Sequence, residues 1–113
     1  MRQICLALDL RDDPQAIAEY DEYHRRVWPE VIQSLYDSGI DEMEIYRIGN
    51  RLFMIIRVQP DFTLSRKAEM DLANPVVQKW EATMSAFQQP LPWAEPGQKW
   101  MLLERVFHTK KEN

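Results

Sequence analysis

The chain has 113 residues, 45% hydrophobic and 28% charged, proportions of an ordinary globular protein with one core rather than two. Its 14 basic and 18 acidic residues, net −4, are spread along the chain and argue against a nucleic-acid binder, which carries a basic stripe. A lone cysteine, Cys5, excludes an internal disulfide and a thiolate-rich zinc site and suits a reducing cytoplasm. The apolar stretch Ile4 to Leu8 has neither the length of a membrane span nor the pattern of a secretory leader, so the expectation is a soluble cytoplasmic protein without membrane contact.

Gln3 to Leu10 alternates, with Ile4, Leu6, Leu8 and Leu10 on one side, and predicts a strand with one face on a core. Asp13-Pro14 starts a helix, Asp13 as N-cap and Pro14 at the first helical position, where its missing N–H costs nothing. The helical period runs through Ile17, Tyr20, His24, Val27, Val31 and Leu35 to Gly39, a C-terminal stop. Pro29 lies inside this run, removes the bond to the Arg25 carbonyl, and predicts a kink or two abutting segments. Ile40 to Ile48 and Arg51 to Val58 read as strands joined by a tight Gly49-Asn50 turn. The continuous apolar run Leu52 to Ile56 predicts a central strand covered on both faces. Phe62 to Asp71 is a weaker helical stretch, and Asn74-Pro75 restarts a helix whose inward stripe is Val77, Trp80, Met84 and Phe87. Gln88 to Gly97, with three prolines and a glycine, reads as a loop, and Lys99 to His108 alternates as the last strand.

The order βαββαβ specifies a ferredoxin-like α+β fold, an antiparallel sheet with two helices on one face, as a single domain over residues 1–113. The other sheet face would still carry large apolar side chains, which predicts a face-to-face homodimer forming an α/β barrel.

Tyr20, His24 and Trp28 recur at i, i+4 and i+8 and share a helix face with Ile17, Val27 and Val31. A phenol and an imidazole one turn apart on an inward face point to a lined pocket, because an unsatisfied buried polar group costs roughly 1–3 kcal/mol. A histidine titrating near 6.5 beside a phenol suits general acid–base chemistry. Trp80 on its stripe could be an aromatic wall or plain core, and Tyr46 alternates with Glu42 and Glu44, facing either a pocket or the barrel. Trp28 with Pro29 reads as packing at the kink, Arg25, Arg26 and Glu30 as helix-surface ion pairs, and His108 as solvated. No metal-binding histidine spacing and no glycine-rich phosphate loop occurs, so neither metal nor cofactor is expected.

The element His24-x-x-x-Trp28-Pro29-Glu30, with Tyr20 one turn before it, Ile45-Tyr46, Asn50-Arg51-Leu52-Phe53, Gln78-Lys79-Trp80 and Met84, resembles the L-rhamnose mutarotase family and its L-fucose relatives, over essentially the whole chain. The resemblance implies a cofactor-free enzyme that interconverts α and β anomers of a 6-deoxyhexopyranose, with His24 as proton donor and Tyr20 and Trp80 as substrate contacts. Met43 stands where the rhamnose type has a second binding tyrosine, and Glu81 where it has a second tryptophan, so both positions, with Tyr46, are candidate sugar contacts and L-fucose or another deoxy sugar is nearly as well supported as L-rhamnose. Two alternatives stay open: a cofactor-independent oxygenase of aromatic compounds, and a non-catalytic ligand-binding module on the same scaffold.

Overall fold

The computed structural model describes residues 2–112 and contains β1 (Arg2–Leu10), α1 (Pro14–Arg25), α2 (Pro29–Asp37), β2 (Ile40–Ile48), β3 (Arg51–Val58), α3 (Leu64–Leu72), α4 (Pro75–Ser85), β4 (Gln88–Gln89) and β5 (Met101–Leu102). Prolines and small polar residues set the helix ends. Asp13 accepts from the Gln15 N–H at 3.1 Å, and Asn74 accepts from both Val76 and Val77. Trp28 precedes Pro29 and is held in an extended conformation (φ −59°, ψ 134°), which ends α1 and starts α2 as an abutting segment. Gly39 closes α2 at φ +99°, a backbone setting that favours glycine.

The sheet order is β2-β3-β1-β4, with β5 also on the outer edge of β1, and every pairing is antiparallel. This is the ferredoxin-like arrangement, with four helices on one face where two were expected, α2 restarting at Pro29 and α4 at Pro75. The register Leu8↔Leu52, Leu6↔Met54 and Ile45↔Met54 sets one face toward the helices, and Ala7↔Phe53 and Tyr46↔Phe53 set the other. The helix-side face is buried in two adjoining clusters. One joins Leu10, Ala16, Tyr20, Val31, Leu52, Trp80, Met84 and Phe87; the other gathers Leu6, Ile40, Ile56, Val58 and Phe62.

Three expectations require correction. The Leu52–Ile56 run is covered on one face only in this chain: Leu52 and Ile56 are buried, whereas Phe53 is exposed. The 88–97 loop begins with a short strand, since Gln88 and Gln89 pair with Leu10 and Asp9. The strand expected over Lys99–His108 is confined to Met101–Leu102, followed by one bond from the Leu103 N–H to the Cys5 carbonyl. Beyond it Val106 and Phe107 are 92% and 79% exposed. The alternation is strand-like, but an edge segment that buries no side chain on its own sheet has little to hold it there.

Candidate active site

Tyr20 and His24 lie in the second half of α1, and the Trp28-Pro29 break leaves His24 in the helix's last turn. Tyr20 is buried in the core cluster that holds Leu10 and Leu52, while His24 is half-buried. The two rings stack at 4.1 Å between centroids with a 31° tilt. Trp80, from α4, meets His24 edge-on at 5.5 Å and Trp28 edge-on at 5.1 Å. Tyr23 closes the group, edge-on to Trp80 at 6.1 Å and beside Phe87 at 5.7 Å. Trp28 is thus packing, as its spacing suggested, and it lies against Trp80, which belongs to the buried core cluster. The only sequence signal for Tyr23 is its place three residues after Tyr20, on the neighbouring stripe.

The His24 Nδ1 lies 2.9 Å from the Tyr20 carbonyl oxygen. A carbonyl only accepts, so Nδ1 carries the hydrogen and Nε2 of the neutral ring carries the lone pair. Burial holds the His24 pKa below its usual value, opposed by the hydrogen bond to the Tyr20 carbonyl and by the charge of Asp21. Burial, reinforced by Asp21, pushes the Tyr20 phenol above its ordinary value. Near pH 7 the pair is therefore a neutral imidazole with an available Nε2 and a phenol that stays protonated. Asp21 itself is held by Arg47 through bonds of 2.6 and 3.3 Å, which tie α1 to β2.

The remaining candidates are distributed elsewhere. Met43 faces the helices but packs on the second cluster, and Ile45 lies against the first. Glu81 is half-buried on α4 and accepts from the Gln78 side chain at 3.3 Å; that amide also donates to the Asp71 carbonyl. Tyr46 is on the opposite face of the sheet, 54% exposed and bonded to Glu44, so the structure does not bring it to Tyr20 and His24. Alternation with Glu42 and Glu44 does not choose between the faces; the β2–β3 register does.

A groove of about 350 Å³ runs between the starts of α2 and α4, lined by Trp28, Glu30, Pro75, Val76 and Lys79. A second hollow of about 210 Å³ lies at the end of α4, by Leu8, Ser85, Gln88 and Lys99. Neither is lined by His24 or Tyr20; from the half-buried His24 ring, Trp80 and then Trp28 lead to the larger groove. Among the described residues no group of three or more His, Cys, Asp or Glu side chains is placed to hold a metal ion. No helix among them is long and apolar enough to cross a membrane.

A family model for L-rhamnose mutarotase matches residues 3–109. An L-fucose mutarotase of Xanthomonas campestris is 46% identical over 109 residues, covering 95% of this chain and 87% of the relative. An L-rhamnose mutarotase of Acidiphilium cryptum is 31% identical, with 96% and 98% covered. Among solved structures, an L-rhamnose mutarotase of Formosa agariphila superposes with a TM-score of 0.71 at 27% identity, covering 97% of this chain and all of that one.

Proposed function

Because the chain belongs to the L-rhamnose mutarotase family of carbohydrate isomerases, we propose that it interconverts the α and β anomers of an L-6-deoxyhexopyranose, L-fucose before L-rhamnose, using His24 and Tyr20. The observation that carries the mechanism is the Nδ1 bond to the Tyr20 carbonyl, which leaves Nε2 free beside a protonated phenol. Nε2 takes the proton of the anomeric hydroxyl as the C1–O1 double bond forms and the C1–O5 bond breaks. The ring oxygen leaves with that electron pair and takes the phenol's hydrogen. A phenol held protonated well above neutrality yields it only to a strong base, which the departing alkoxide is. Rotation about C1–C2 presents the other face of the aldehyde. O5 then attacks C1 and returns its proton to Tyr20, while O1 takes the proton from Nε2, so both groups are restored and no cofactor is consumed.

Trp80 would cover the apolar C–H face of the pyranose. Preference for L-fucose rests on the 46% identical relative, an L-fucose mutarotase, and on Glu81, the residue after Trp80, which stands where the rhamnose type has a second tryptophan. The open sheet face, with Tyr46, Ile48 and Phe53 exposed, supports a homodimer, and the free Cys5 suits a cytoplasmic setting. Family membership speaks against the oxygenase reading. Saturation-transfer proton NMR on L-fucose and L-rhamnose tests the proposal: protein-dependent exchange between anomeric signals is expected. Exchange of both sugars at the buffer rate refutes it, and sugar binding without faster exchange would make the chain a binding module.

A further inference from the structure

Arg47, near the end of β2, meets α1 with its whole fork. Its Nη2 and Nε donate to the two Asp21 carboxylate oxygens at 2.6 and 3.3 Å, and its Nη1 donates to the Gly49 carbonyl at 3.0 Å. That turn is itself fastened to β1, since the Asn50 side-chain amide donates to the Leu10 carbonyl at 2.9 Å. The guanidinium is therefore held from the sheet, and it holds the carboxylate in turn. A planar fork suits three acceptors at once; the single point charge of a lysine does not.

Asp21 follows the residue whose carbonyl holds the His24 ring and precedes His24 by three, a spacing at which helix side chains are neighbours. Its charge bears on both members of the stack, favouring the imidazolium and opposing the phenolate. Other groups around the ring are engaged elsewhere. On α1, Glu22 pairs with Arg25, and Tyr23 is turned to Trp80 and Phe87. On α4, Lys79 lies over the Trp28 ring and Glu81 accepts from Gln78. Among the packed sheet residues, Leu10, Ile45 and Leu52 are apolar. The stack thus answers to one carboxylate, and that carboxylate answers to Arg47.

We propose that Arg47 is a positioning residue for the anomeric exchange: anchored to the sheet, it pins the Asp21 carboxylate toward β2 and compensates its charge, so that Tyr20 and His24 face a paired rather than a bare carboxylate. Two opposite charges in contact act at a distance as a dipole, whose field falls faster than that of a single ion. Without Arg47 the bare carboxylate would favour the imidazolium, in which Nε2 is occupied, and would bind the phenol's hydrogen more tightly. The Tyr20 carbonyl would still hold Nδ1. The inference rests on the proton-transfer reading above, in which Nε2 is the base.

The test compares Arg47→Met, Arg47→Lys, Asp21→Asn and the double variant Asp21→Asn/Arg47→Met. The pair is partly exposed and contributes little to stability, so these variants should fold, with circular dichroism as the check. In Arg47→Met the acid limb of kcat/KM should rise by about 0.5 pH unit, with exchange on that limb lowered about threefold and KM little changed. Lysine should return most of the limb. In the double variant the limb should lie where Asp21→Asn alone puts it, below wild type, because Arg47 acts through Asp21. Nitrogen NMR of the His24 ring without sugar should show the same order of titrations, with Nδ1 the protonated nitrogen of the neutral ring throughout. A limb unmoved in Arg47→Met, a shift that survives in the double variant, or an equal loss of exchange at every pH would overturn the proposal. Should Arg47→Met fail to fold, Arg47→Gln carries the same expectations. If the wild-type protein accelerates neither sugar, the mutarotase reading fails, while the ring titrations still decide whether Arg47 governs His24.

Discussion

His24→Ala separates catalysis from architecture. The substitution removes the hydrogen bond to the Tyr20 carbonyl, worth about 0.5–1.5 kcal/mol, and the ring contacts with Tyr20 at 4.1 Å and Trp80 at 5.5 Å, each of similar size. His24 is only half-buried, so the stability loss should be about 1–3 kcal/mol, within the roughly 5–15 kcal/mol that holds such a domain. The catalytic loss should be larger. A positioned acid–base group contributes about 10²–10⁴ fold, or roughly 2.7–5.4 kcal/mol of barrier. Anomeric exchange followed by saturation transfer should thus fall at least a hundredfold, while the urea midpoint shifts modestly. A variant that folds and keeps more than a tenth of the wild-type exchange rate would show that Nε2 is not the proton acceptor.

Tyr20→Phe keeps the stacked ring and the main-chain carbonyl and loses only the hydroxyl; exchange should fall about 10–100 fold with the imidazole signals in NMR little moved. The acid limb of kcat/KM should lie below pH 6.5, because burial depresses the His24 pKa, and Asp21→Asn should move it lower still by removing a charge that favours the cation. The same depression makes the unfolded chain bind more protons between the folded pKa and about 6.5, so the His24 contribution to stability is full above that value and is lost as pH falls through the folded pKa; denaturation midpoints across this window should show the decline. Gly39→Ala meets Phe62 at an ordinary 3.6 Å but must adopt φ +99°, so about 1–2 kcal/mol of backbone strain should appear in urea unfolding with activity unchanged.

Punctuation made most of the fold legible. Asp13-Pro14, Trp28-Pro29, Asn74-Pro75 and Gly39 act through steric rules local to a few residues, and the helices begin and end at them. The stacking of Tyr20 on His24 followed from their spacing for the same reason. What depends on neighbours was less visible. Whether Tyr46 faces the helices is decided by the β2–β3 register and the irregularity between Ile40 and Glu42, which no local pattern encodes. The alternation over 99–108 records a surface to be covered and is silent on what covers it. Trp28 shows a middle case: its spacing assumed one continuous helix, yet after the break its indole still reaches Trp80.

The partner that fixes the His24 tautomer is a peptide oxygen, and this has a consequence for how such a pocket diversifies. No side-chain replacement at residue 20 deletes that oxygen, so the orientation of the base is insulated from mutation in a way that a carboxylate partner would not be. Side chains around the ring can then change without turning it. In the proposed mechanism Nε2 keeps its aim while the preference for a sugar changes around it.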